Sequence, residues 1–163
     1  MSEIVGVSGA DPESLLTVQV VVRKGKAPKN VTVNMLDQLD IDKNNIQNDL
    51  LNQATNFGFI AVLAELAISK RDGLEQELEE LKSVVYHEYK AGDYVATYGT
   101  KPTEKALGHA VIMDERVKQL NEDLIEAKKQ AGLLSACKQA LDKRKDMLMA
   151  INANMRKELE STR

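Results

Sequence analysis

Tyrosine and lysine are the residues of this chain whose types and spacing best suit chemistry, and the chemistry is binding. All four tyrosines, Tyr86, Tyr89, Tyr94 and Tyr98, fall in one short stretch bracketed by Lys82, Lys90, Lys101 and Lys105. Phenol rings stack on nucleobases and ammonium groups track phosphates, the combination used by sequence-tolerant single-strand binders. A second basic run, Lys143-Arg144-Lys145, lies further on. It belongs to the interval Lys128–Lys157, which holds 8 basic and 2 acidic residues, a local excess of +6. That excess stands out because the whole chain carries a formal charge of −3. Up to Thr100 there are 9 basic and 15 acidic residues; from Lys101 onward the counts are 13 and 10. A concentrated positive field inside an acidic protein suits a phosphate partner.

Catalytic and metal-binding patterns are a poorer match. Asp40, Asp42 and Asn44 fit the first three ligand positions of an EF-hand loop, but Asn45 stands where the sharp-turn glycine belongs and Leu51 where the bidentate glutamate belongs. His87-Glu88 lacks the second histidine of a zincin, its place being taken by Ala91. The segment Gly92–Gly99 lacks the Lys-Ser/Thr ending of a phosphate loop. Ser8 has no nearby base, and Cys137 sits near the apolar side of a helical stretch, as a small buried hydrophobe does. The expectation is a non-enzymatic protein with no cofactor and no metal.

The 163 residues suit one domain with an appended arm, and hydrophobic residues at 43% with charged ones at 29% fit neither a disordered acidic tail nor a membrane protein. No Trp, two Phe and three Pro in a chain rich in Leu, Ala, Lys and Glu point to long helices rather than a thick aromatic core. The apolar run Phe59–Leu63 is followed closely by Glu65, so no bilayer span is expected. The opening residues lack the basic-then-apolar order of a secretory leader. With a single cysteine, the expected compartment is a reducing cytoplasm.

These residues need elements to position them. Alternating Val18, Val20 and Val22, then Val31 and Val33, flank the turn-rich segment Gly25–Asn30 and predict a β-hairpin within an N-terminal arm, residues 1–34. Asp11-Pro12 reads as the start of a short helix before it. Residues 35–163 read as helical. The spacing predicts a short helix over 43–56 and a longer one over 57–89, through Ile60, Leu63, Ala67, Leu74, Leu78, Leu81 and Val85. A loop follows over 90–104, with Thr103 capping a short helix to about Met113. From Glu115 to about Glu160 the apolar spacing resumes through Val117, Leu120, Leu124, Leu134, Leu141 and Leu148, with Asp114 as its cap. The fold class expected is mainly α: a long antiparallel helical hairpin with short helices and a small N-terminal β-hairpin arm. Such long apolar seams need a partner, so a homo-oligomer is expected.

From Met35 to Glu160 the chain resembles the UvsY-type recombination mediators of bacteriophages. The resemblance is carried by the amphipathic helix with Phe57 and Phe59 near its start, by the Tyr/Gly loop, by Lys101-Pro102-Thr103-Glu104 opening a short helix, by the break at Asp114, and by the long final helix ending in Met155-Arg156-Lys157-Glu158. It implies a homo-oligomer that binds single-stranded DNA in recombination and repair. It also implies help to a RecA-like recombinase in displacing the single-strand-binding protein, in the host cytoplasm. Lys82 falls where that family has a basic residue near the end of its first long helix; Val84 stands where a second would be. The reading from another class is a structural coiled-coil protein, a phage assembly scaffold or chaperone that binds no DNA.

Overall fold

The computed structural model describes residues 17–24, 27–42 and 44–162; the helix expected at Asp11-Pro12 and Ser8 lie outside them. Strands β1 (Thr17–Lys24) and β2 (Ala27–Asn34) pair antiparallel from Thr17↔Asn34 to Lys24↔Ala27. The connection is shorter than the sequence suggests. β2 begins at Ala27, and Pro28 pairs with Arg23. A two-stranded ribbon has only edge strands, where a residue without an N–H is tolerated.

Helix α1 (Met35–Leu39) follows at once, capped by the Asn34 side chain, which accepts from Leu36 N at 3.0 Å. Helix α2 runs unbroken over Ile46–Glu88, where the sequence suggested two helices meeting near Asn56. Nothing there stops a helix: no proline intervenes, and Gly58 costs only about 1 kcal/mol relative to alanine. The expected loop 90–104 is also largely helical. A kinked turn covers Tyr89–Asp93, with Gly92 outside the helical region, and α3 covers Tyr94–Tyr98, leaving Gly99–Thr103 as the connection. Helices α4 (Glu104–Met113) and α5 (Glu115–Ser161) complete the chain. Thr103 caps α4 by accepting from Ala106 N at 3.2 Å. The protein is mainly helical.

Two compact units are present. Unit 1 comprises Met1–Glu65 with Gly132–Arg163, and unit 2 comprises Leu66–Ala131. Within unit 1 the apolar interior is built on Ile60, Leu63, Leu134, Leu141 and Leu148, all but inaccessible to solvent, with Cys137 among the buried residues. Burial pushes the Cys137 thiol pKa up, which keeps the sulfur protonated and inert. Unit 2 is centred on Leu78, Val85, Val111, Val117 and Leu124, with Tyr86 and Tyr89 packed against them.

The helical run Ile46–Tyr98 departs from the sequence reading in one further way: it contains one stretch long and apolar enough to cross a membrane. The cause is a helix apolar on two sides. Ile60, Leu63 and Ala64 are buried while Phe59, Val62 and Leu66 are exposed, and Glu65 is the sole charge between Leu50 and Ser69. Only 28% of that stretch is buried inside the protein, so its second apolar side is left uncovered.

Candidate nucleic-acid interface

The tyrosines divide into two pairs. Tyr86 and Tyr89, near and just after the end of α2, lean on the unit 2 core and have committed hydroxyls. Tyr86 donates to Glu104 Oε2 at 2.6 Å, and Tyr89 donates to Asp114 Oδ2 at 3.2 Å. The bonded Glu104 carboxylate raises the Tyr86 pKa, with desolvation adding to it. Burial raises that of Tyr89, with the Asp114 charge adding to it. Both rings therefore stay neutral and anchored. Lys90 Nζ lies 5.5 Å from the Tyr86 ring centre and 3.9 Å from Glu104 Oε1.

Tyr94 and Tyr98 are the other pair. One turn apart on α3, their rings lie 4.6 Å centre to centre at an interplanar angle of 37°. Tyr89 meets Tyr94 edge-on at 6.4 Å. Tyr98 is 50% exposed. Among the described residues no partner engages either hydroxyl; the two rings cover one another on one side, and the half-exposed Tyr98 is the ring that stays open to a ligand. Two glycines set this short helix. Gly92 lies at φ 147°, outside the helical region, and kinks the chain before it, and Gly99 at φ 71° closes it, its N–H donating to Val95 O at 2.9 Å. Both values lie where a side chain is strained.

The lysines also divide. Lys82 is held by Glu79 at 2.7 Å and Lys90 by Glu104. Lys101 and Lys105 are exposed and, among the described residues, have no ion-pair partner. The clustering seen in the sequence thus divides: Tyr86, Tyr89, Lys82 and Lys90 have partners, Tyr94 meets Tyr89 and Tyr98, and the exposed Tyr98, Lys101 and Lys105 have no polar partner among the described residues.

Arg116 is a residue that charge counting passes over. Its guanidinium reaches Glu88 Oε2 at 2.6 Å and both oxygens of Asp114 at 3.1 Å, joining the end of α2 to the start of α5. Asp114 also accepts from the Arg116 backbone N–H at 2.9 Å. The Arg116 hydrogen bond, opposed in part by desolvation, holds the Asp114 carboxyl below the usual carboxylate range. The signal for this node was local: an aspartate at a helix start with an arginine two residues on.

In unit 1 the basic run Lys143-Arg144-Lys145 separates by helical rotation. Arg144, expected at the phosphate surface, is instead buried at 5% exposure. Its Nη1 donates to Gln53 Oε1 at 2.6 Å, its Nη2 to the Asp40 carbonyl at 2.6 Å, and its Nη2 pairs with Asp49 Oδ1 at 3.2 Å. A guanidinium spent on internal partners is withdrawn from any ligand, so Arg144 is structural. Lys145 pairs with Asp142 at 3.5 Å and Asp146 at 4.0 Å. Lys143 is exposed and lines, with Phe57, Ala136 and Gln139, a groove of about 760 Å³. The carboxylates of the Asp40–Asn44 segment serve the turn itself: Asp42 Oδ1 accepts from Asn44 N at 2.9 Å, and Asp49 Oδ2 from Asp42 N at 2.9 Å. No group of three or more His, Cys, Asp or Glu side chains suited to a metal occurs among the described residues.

No family model, curated protein or solved structure matches this chain.

Proposed function

We propose that the protein is a non-enzymatic, single-strand-binding recombination mediator. It would act as a homo-oligomer that hands single-stranded DNA to a RecA-like recombinase in place of the single-strand-binding protein, in the cytoplasm. The observation that carries the reading is the half-exposed Tyr98 ring resting on Tyr94, followed three residues on by Lys101 and then Lys105. Stacking contributes about 1–3 kcal/mol per base whatever the base, and each lysine adds a salt-sensitive phosphate contact. One subunit offers few such contacts. Copies associating through exposed apolar positions would multiply them by effective concentration. In this reading the two long helices run as an antiparallel hairpin that presents the Tyr/Lys end to DNA.

The test is fluorescence-anisotropy titration against labelled single-stranded DNA at low and moderate salt, with duplex as control. Binding that prefers the single strand and weakens with salt is expected. Changing Lys101 and Lys105 together to Ala should weaken it and lower the salt slope by about 1 to 2. No binding at low salt would sink the reading and leave the protein-only scaffold as the better account. That alternative draws on the exposed Phe59, Val62 and Leu66.

A further inference from the structure

Unit 1 contains a smaller groove, of about 280 Å³, where the segment before α2 and its first turn meet the last third of α5. Asn44, Asn45 and Gln47 line one side; Asn152, Met155 and Arg156 line the other. Its lining has four carboxamides, one guanidinium and no carboxylate. Among the described residues no hydrogen bond or ion pair engages any of those five polar side chains. The contrast with Arg144, whose Nε, Nη1 and Nη2 all have internal partners, is complete.

The base and the phosphate of a nucleotide each have a counterpart in this groove. A carboxamide sets a donor beside an acceptor, which is what the mixed edge of a base presents. The Met155 thioether, 43% exposed, and the exposed Leu159 beside it give a soft apolar surface for a ring face. The Arg156 guanidinium suits phosphate oxygens. One side is also held in place. Asn45 N donates to Asp42 O at 3.0 Å, Asn44 N to Asp42 Oδ1 at 2.9 Å, and Arg144 grips the Asp40 carbonyl.

We propose that this groove seats one nucleotide of a bound single strand, its base edge read by the carboxamides and its phosphate met by Arg156. The proposal rests on the single-strand reading above and adds base preference to it, which ring stacking and lysine contacts do not supply. Carboxamides pair bidentately with adenine, so the expected preference is for deoxyadenosine.

The test compares anisotropy titrations with equal-length oligonucleotides of deoxyadenosine and of deoxythymidine. Wild type should prefer the deoxyadenosine strand by about fivefold or more, the lower end of a good carboxamide–adenine pair. Asn152→Leu should bring its affinity down to that for the deoxythymidine strand while leaving the latter unchanged. Arg156→Gln should weaken both and lower both salt slopes by about 1. Circular-dichroism melts confirm that the two variants fold. Equal affinity of wild type for the two strands, or a preference that survives Asn152→Leu, overturns the groove assignment and leaves single-strand binding standing. No binding of wild type to either strand overturns both.

Discussion

Arg144 and Arg116 are both arginines on α5, and the two units use them in opposite settings. Arg144 in unit 1 is nearly dry, with a side chain 6% exposed, and holds Asp49, Gln53 and the Asp40 carbonyl. Arg116 in unit 2 has a side chain 53% exposed and bridges Glu88 and Asp114 in contact with water. The difference lies in what happens when the partner is lost. Around Arg144 there is little water to replace a missing group, so the whole desolvation penalty falls on whatever remains. Around Arg116 water and salt substitute freely, and the pair contributes little. Counting Arg144 as positive charge available to a phosphate partner misreads it entirely.

The sharpest way to break that contrast is Arg144→Ala. It strands Asp49 at 19% side-chain exposure and leaves the buried Gln53 Oε1 without its donor. The expected loss is about 3–5 kcal/mol, the range for removing one partner of a buried pair, read as a lowered midpoint in urea. Arg116→Ala under the same conditions should shift the midpoint much less. Equal losses would mean that burial is not what separates the two nodes.

Gly92→Ala comes next and sharpens the picture of unit 2. At φ 147° the residue stands where only glycine is at ease, and the space around its Cβ position is open, so the cost is conformational alone. A destabilisation of about 1–3 kcal/mol is expected, with single-strand affinity reduced through misplacement of Tyr94 and Tyr98. Because the strain is in the backbone, Gly92→Ser should behave like Gly92→Ala. A difference between them would point to a contact rather than to φ.

How much of this was legible beforehand follows from the physics of each feature. The apolar spacing of Leu74, Leu78, Leu81 and Val85 and the caps Thr103 and Asp114 act locally, so α4 and the start of α5 could be read directly. Glycines and tyrosines suggest a loop over 90–104, whereas the helix breaks only at a kink on Gly92 and resumes over Tyr94–Tyr98. The clustering of tyrosines and lysines was visible, but its division into anchored and free members was not. That division depends on Glu104 reaching Tyr86 and Asp114 reaching Tyr89 from 18 and 25 residues away. The burial of Arg144 depends likewise on partners 91 and 104 positions away in the chain.

The smallest effect concerns pH and isolates the exposed node. Asp114 has a folded-state pKa below its ordinary value, through its hydrogen bond from Arg116. Its stabilisation is therefore full above the ordinary carboxylate pKa, near 3.9, and is lost as pH falls through the lower folded value. Tyr89 has the opposite sign. Its folded pKa is raised, by burial first, so its contribution is full below the ordinary phenol value near 10 and is lost as pH rises through the folded one. Between these limits the node should be insensitive to pH. Thermal melts of wild type and Asp114→Asn should differ by a constant small amount from pH 5 to 9 and converge in acid. Asparagine retains a cap oxygen, so the residual gap reports the charge on Asp114 rather than loss of the helix start. Added salt at neutral pH should narrow the gap only in part, because Arg116 is open to solvent while the Asp114 side chain is 10% exposed. A gap that persists in acid would assign the node's contribution to packing of Tyr89, and the distinction between a wet and a dry arginine would then rest on Arg144 alone.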